Sequence, residues 1–338
     1  MSKPIIGIVG MGEMGMRFAR LISESPRAEL VAVADPNACA AEEAVTRWGA
    51  RYYPDVKTLV AGEPTVDALV IATPETVHVE PAKVGAAAGR HLFVEKPLAI
   101  NCEDCREIVR ASKEAGTTLL VGHTLRFDPR YSAARAAMRE GRIGEIVHTY
   151  SRRNITGRVL RRQRDAVSLA LYLGVHDIDF ILWAIDARVV RVTARGRRGL
   201  LVRQGLDLDD TIFSLIEFDN GVISCIENSW WVPEDAPGRI HAHQFEAIGT
   251  DGDIHLMPQQ NGFVIRGPGS CEYPNSHFDG ESAGRAIGAY RDEMEHFFDC
   301  IAGTSKPLAS GEEALRAVAV AEAIHRSLAS GSTEIISI

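Results

Sequence analysis

From Pro4 onward, the first third of the chain alternates two hydrophobic patterns. PIIGIVG, ELVAVAD, VDALVIAT, HLFVEKP and TTLLVGH (Thr117–His123) are short, nearly uninterrupted apolar runs rich in β-branched residues. Between them, apolar positions recur every three or four residues in Glu13–Ser25, in Ala38–Trp48, in Val77–Ala88, and from Asn101, a good N-cap, to Ala115. Strands that are apolar on both faces are covered on both faces, which is the pattern of a parallel sheet between helix layers. Repeated strand–helix–strand units of this kind predict a doubly wound α/β domain, bounded here as residues 1–123.

The texture then changes. Pro129–Glu140 reads as a helix, GEIVHTYSRRN as a strand running into an arginine-rich loop, and Val167–Ala184 as an apolar-periodic helix. Longer, alternating strands follow: VVRVTARGRRG, DDTIFSLIEFDNGVISCIENSWW, HQFEAIGTDGDIHLM and GFVIRG. Asp219-Asn220-Gly221 and Asp251-Gly252 are hairpin-turn signals. Helices near Gly288–Ile301 and Glu312–Ser330 and a last short strand complete the chain. Residues 124–338 are thus expected to form a second α/β domain on a large, mostly antiparallel sheet, one face on helices and one face open.

Bulk properties narrow the function classes. A chain of 338 residues has room for two cores. The net charge of −8 does not favour nucleic acid or an anionic membrane as partner. There is no apolar run long enough to span a bilayer, and the N-terminus enters a strand without a signal-like segment. The six cysteines are scattered; Cys102 and Cys105 form a C-x-x-C with no second pair at zinc spacing. A cytoplasmic protein with reduced thiols and no metal is the expectation.

The first strand ends in Gly10-Met11-Gly12-Glu13-Met14-Gly15, a G-x-G-x-x-G between a strand and a helix. Gly10 permits the tight turn, Gly12 lets the backbone approach a pyrophosphate, and Gly15 lets the helix pack close. The helix N-terminus offers free N–H groups to the phosphates. The second strand ends at Asp35, followed by Pro36 and Asn37. A carboxylate at that spacing accepts from the adenosine ribose hydroxyls and repels a 2′-phosphate, so NAD is favoured over NADP. Ligands of such sheets bind outside the carboxyl ends of the strands. Two more strands end there in chemistry-bearing residues: Thr73-Pro74, and Glu95-Lys96-Pro97. A lysine where an apolar strand leaves the core is costly unless it has a task or a partner.

Together the glycine turn, Asp35, Ala72-Thr73-Pro74 with His78, Glu95-Lys96-Pro97 and the later His176-Asp177-Ile178-Asp179 resemble the glucose–fructose oxidoreductase / inositol dehydrogenase / rhizopine-catabolism (Gfo/Idh/MocA) family across essentially the whole chain. The resemblance implies that Lys96 lies near the nicotinamide and bonds the substrate hydroxyl. It also implies that Pro97 follows a cis peptide bond, that His176 is the acid/base, and that Thr73, Pro74, His78 and Glu95 border the cofactor. Asp179, three residues after His176, can share its helix face. Many members carry an aspartate four residues before the histidine; here that position is Tyr172, whose phenol can bond the substrate or act as acid itself. The region of His123, Arg126 and Phe127 borders the substrate in the family, making Arg126 a candidate.

The chemistry fits these residue types: oxidising a secondary alcohol needs a hydride acceptor, a base and a cation for the developing alkoxide. The implied reaction is hydride transfer between nicotinamide and a ring alcohol of a sugar or cyclitol, in a homodimer or homotetramer joined through the open sheet face. Two rivals are a tightly NAD-bound enzyme running an oxidise–eliminate–reduce cycle on a glycoside and a non-catalytic nucleotide-binding regulator. Weaker features are Arg152, Arg153, Arg158, Arg161, Arg162 and Arg164, read first as a solvated face and second as an anion site. Trp230 and Trp231 read as packing or as a stacking surface for a sugar ring. His241 and His243 share one strand face without an evident third metal ligand.

Overall fold

The near-continuous apolar runs become a six-stranded sheet: β1 (Ile5–Val9), β2 (Glu29–Ala34), β3 (Arg51–Tyr53), β4 (Ala68–Ile71), β5 (His91–Val94) and β6 (Leu119–Val121), in the order β3-β2-β1-β4-β5-β6. Every pairing is parallel. This is the computed structural model of the chain, and it describes residues 3–157, 160, 168–232, 242–258, 265–267, 270–272 and 277–337. The connecting helices are α1 (Glu13–Glu24), α2 (Ala38–Trp48), α3 (Val56–Gly62), α4 (Val79–Ala87) and α5 (Cys102–Ala115). Their ends carry the local signals: Asn37, Asp55 and Asn101 cap α2, α3 and α5 through side chain to backbone N–H bonds, and left-handed Gly49 and Gly116 stop α2 and α5. Strand β3 and helix α3 carried no clear sequence signal, because two of the three residues of β3 are exposed and leave no apolar run.

The chain divides into two compact units, and the division is not the single cut expected at 123/124. Unit 1 is 1–127 with 281–315; unit 2 is 128–280 with 316–338. The late segment joins unit 1 because helix α9 closes its core: Met294, Phe297 and Phe298 are buried with Phe18 and Phe93. The Phe93 ring meets Phe18 edge-on at 5.0 Å and Phe297 at 5.8 Å, the preferred aromatic geometry.

In unit 2, α6 (Pro129–Arg139), α7 (Val175–Ala184) and the one-turn α8 (Leu200–Arg203) accompany β7 (Ile146–Thr156), β8 (Val189–Arg197), β9 (Thr211–Phe218), β10 (Ile223–Val232), β11 (Ala242–Gly249) and β12 (Asp253–Leu256). Four short strands follow, β13 (Ile265–Gly267) beside β14 (Ser270–Glu272) and β15 (Gly280–Ser282) beside β16 (Arg285–Ile287). After them come α9 (Ala289–Ile301), α10 (Gly311–Ser330) and β17 (Glu334–Ile335). The second sheet runs β12-β11-β7-β10-β9-β8-β17. It is antiparallel except for β7 and β10, which pair parallel. Tyr131 of α6, Phe180 of α7 and Phe245 of β11 stack edge to face at 4.8 Å each across its helix-covered side. Both expected hairpins form, at Phe218–Val222 and at Gly249–Gly252.

Candidate active site

The three glycines of the first turn do three different things. Gly10 has φ +92°, and a Cβ there would lie 2.6 Å from the Thr73 backbone nitrogen. A Cβ on Gly15 would lie 1.9 Å from the Gly10 carbonyl oxygen, so only glycine lets α1 start this close to β1. A Cβ on Gly12 would meet nothing within 4 Å, so that backbone faces open space. Gly12 is also the N-cap of α1 and makes no side-chain cap, which leaves the first N–H groups of α1 for a ligand. Met11 is 2% exposed, in the core, while Glu13 is exposed and Met14 half-buried. Asp35 ends β2, and its carboxylate accepts from the Met11 N–H at 2.7 Å and the Asn37 N–H at 2.8 Å. Each oxygen keeps a further lone pair, so the carboxylate braces the glycine turn with acceptor capacity left over; Pro36 beside it is exposed. The open face at Gly12 and the buried, unpartnered Thr73 Oγ1 beyond β4 both suit a bound dinucleotide.

At the end of β4, Pro74 precedes a single 3₁₀ turn, Glu75–Val77. The His78 ring is taken up by the backbone around it. It is buried, with Nδ1 3.0 Å from the Pro97 carbonyl and 3.2 Å from that of Leu98, and Nε2 3.0 Å from that of Thr73. Burial pushes its pKa down, against the pull of these carbonyls. Its role is to tie the end of β4 to the turn after β5. That turn holds Glu95, Lys96 and Pro97, with the Lys96–Pro97 bond cis. Glu95 is buried; its Oε2 accepts the Lys96 backbone N–H at 3.0 Å and its Oε1 has no hydrogen-bond partner. Burial lifts its pKa to about 7, with Lys96 and Arg17 pulling it back and Glu75 adding to the rise. Lys96 is half-buried, and its charge acts on a carboxyl that titrates near neutrality.

Arg126 is not available to a substrate. Its side chain is buried, with Nη1 donating to the Leu308 carbonyl at 2.5 Å and to Glu313 Oε1 at 2.7 Å. Burial alone would raise the Glu313 carboxyl; Arg126 and the Ser310 donors outweigh it and hold it below its ordinary value. The sequence could not show this, because the carbonyl and carboxylate that capture Arg126 lie far along the chain.

In unit 2, α7 is entered through a π-helical turn, Ala170–Gly174, a form that gathers at functional sites. Between Leu171 and Leu182 only Tyr172 and His176 reach solvent, one turn apart. Asp179, expected on the His176 face, is buried. The Tyr172 ring packs on Trp230 of β10 at 5.3 Å. Arg152 and Arg153 are not in a loop but on β7. Arg153 is turned inward, with Nε and Nη2 on the two Asp177 oxygens at 2.8 and 3.1 Å and Nη1 3.3 Å from His243 Nδ1. His243 therefore lies against a cation. Arg158, Arg161, Arg162, Arg164 and His241 lie outside the described residues, as does the side chain of Trp231.

Two family models match the chain. Residues 5–123 match the oxidoreductase family, NAD-binding Rossmann fold, and residues 131–255 match the GFO/IDH/MocA C-terminal domain. An inositol 2-dehydrogenase 2 from Saccharopolyspora erythraea is 31% identical over 337 residues, covering 97% of this chain and 94% of that protein. The chain belongs to the Gfo/Idh/MocA family. Among its fellow members, a 2,7-anhydro-N-acetylneuraminate hydratase from Escherichia coli is 29% identical, covering 79% of this chain and 71% of its own. The crystal structure of a putative myo-inositol dehydrogenase from Sinorhizobium meliloti 1021 superposes with a TM-score of 0.85 at 26% identity, covering 99% of this chain and all of that one. Like the family at large, the chain is an NAD(P)-dependent oxidoreductase of the inositol-dehydrogenase type. Among the described residues no helix is long and apolar enough to cross a membrane.

Proposed function

We propose that this protein is an NAD-dependent dehydrogenase that oxidises a ring secondary alcohol of a cyclitol or sugar, an inositol first among them. The observation that carries the reading is the edge of the first sheet. The glycine turn, Asp35, Thr73 and Lys96 all follow the carboxyl ends of their strands, around the switch point between β1 and β4 where dinucleotides bind. Gly10, Gly12 and Gly15 with the α1 N-terminus hold the pyrophosphate, and Asp35 takes the ribose hydroxyls, which favours NAD over NADP. Bound NAD supplies the hydride acceptor. Lys96 offers a cation to the developing alkoxide, His176 takes the hydroxyl proton, and Tyr172 bonds the substrate from the turn before it. His78 and the Asp35 bond to Met11 position these groups and touch no reacting atom.

A second reading is favoured by the hydratase relative: NAD held tightly and used in a closed oxidise–eliminate–reduce cycle. One experiment separates the two. Purified protein meets NAD and NADP with a panel of inositols, sugars and glycosides, with nicotinamide absorbance and product chromatography as parallel readouts. Reduction of NAD by an inositol, lost by roughly 10²–10⁴-fold in Lys96→Ala, is the expected result. Equal turnover by Lys96→Ala overturns the role of the lysine. Product without net absorbance change moves the protein to the closed cycle.

A further inference from the structure

Among the described residues, the helix-covered face of the second sheet contains buried donors without a hydrogen-bond partner. Trp230 is 1% exposed and Asn228 2% exposed, two positions apart on β10 and so on the same face. The Trp230 Nε1–H and the Asn228 Nδ2 amide are both buried and both without a hydrogen-bond partner. Buried donors of this kind are nearly always paired, and leaving one unpaired costs about 1–3 kcal/mol. Two at one spot are a concentrated cost. They lie where α7 is irregular: Tyr172 stacks on Trp230, and a Cβ on Gly174 would come within 2.7 Å of Asn228 Oδ1, so the π-turn presses directly on the amide. The next position on β7, Arg153, pairs in register with Asn228, and its charge is already taken up by both Asp177 oxygens.

We propose that Trp230 and Asn228 are substrate-binding residues, their two neutral N–H donors holding adjacent hydroxyl oxygens of a polyhydroxylated ring beneath Tyr172. The inference rests on the proposed function only for the substrate class. Neutral donors suit hydroxyl oxygens, which accept from them and donate onward. A carboxylate or phosphate would need a cation on this wall, and Arg153, the one that the described residues provide beside Asn228, is neutralised by Asp177. The wall therefore selects neutral polyols over sugar acids.

The test uses the full chain labelled with ¹⁵N-tryptophan, with NAD present. The four indole N–H signals are assigned by single Trp→Phe replacements and followed as inositols and neutral sugars are added, alongside turnover on the same panel. Turnover with a downfield shift of the Trp230 signal supports both the inference and the dehydrogenase reading. Turnover with an unmoved Trp230 signal overturns the inference alone. A shift without turnover of any kind supports the inference and removes the dehydrogenase reading. Neither shift nor turnover removes both. Trp230→Phe, which keeps the ring, should raise KM about 10-fold on the parent polyol. It should cost nothing further on the one deoxy analogue that lacks the held hydroxyl, a selectivity that a structural role would not produce. Equal losses on every analogue overturn the proposal, and Asn228→Leu gives the same comparison if Trp230→Phe does not fold.

Discussion

Glu95→Gln probes the chemistry beside Lys96 without touching the lysine. Glu95 is 6% exposed, and its carboxyl carbon lies 3.4 Å from where a Cβ on Gly122 would sit, so the carboxyl is packed against the Gly122 backbone. Burial raises its pKa from 4.5 to about 7. In that window the folded chain keeps a proton that the unfolded chain releases, so stability falls as pH rises from the unfolded to the folded value. A rise of about 2.5 units at roughly 1.4 kcal/mol per unit amounts to about 3 kcal/mol. Glutamine fits the same space and has no proton to lose. Urea unfolding without NAD, at steps between about pH 4.5 and pH 8, should show wild type losing about 3 kcal/mol relative to Glu95→Gln, with the change complete just above neutrality. Parallel curves for the two proteins across that range would refute the burial argument. With NAD and substrate present, the pH dependence of kcat near neutrality should flatten in the variant.

Three further outcomes follow from the geometry. Gly15→Ala sets a methyl 1.9 Å from the Gly10 carbonyl oxygen; the displacement costs about 1–3 kcal/mol and should weaken NAD by roughly 10–100-fold in calorimetry, and unchanged affinity would contradict the turn's role. Asp177→Asn leaves Arg153 buried beside a neutral partner and should destabilise the chain by about 3–5 kcal/mol, while Arg153→Met with Asp177→Leu recovers most of the loss; a double variant as unstable as the single one would argue against a charge-pairing origin. Phe213, Leu215 and Ile223 stand 48%, 45% and 46% exposed on one face of β9 and β10, an apolar strip that we propose a second copy covers. Sedimentation should show a dimer or tetramer at micromolar concentration, shifted toward monomer by Leu215→Glu; wild-type protein sedimenting as a monomer rules this out.

Much of the site was legible because its signals are local. A glycine whose Cβ would strike its own turn, an acid at the end of the next strand and a lysine closing an apolar strand are each conspicuous within a few residues. The partners of His78 and Arg126 were not legible, for the opposite reason. Each has the composition of a ligand-binding residue, and each is consumed by backbone carbonyls or a carboxylate that folding brings from elsewhere: Pro97 and Leu98 for His78, Leu308 and Glu313 for Arg126. Trp230 was read as packing first and as a stacking surface second, but its unpaired N–H was invisible, since pairing is a property of neighbours and not of the residue.

Most of the helices and strands, the parallel character of the first sheet and the dinucleotide turn are thus written in the chain itself. Hydrophobic period and turn residues record what each segment must bury and where it must bend. Tertiary structure alone decided that α9 completes the first core, that β7 and β10 run parallel inside an otherwise antiparallel sheet, that α7 begins in a π-turn, and that Arg153 spends its charge on Asp177. Each of these is a choice among partners distant in sequence. Burial patterns say that a face is covered, while only packing and hydrogen bonding across the fold determine by what.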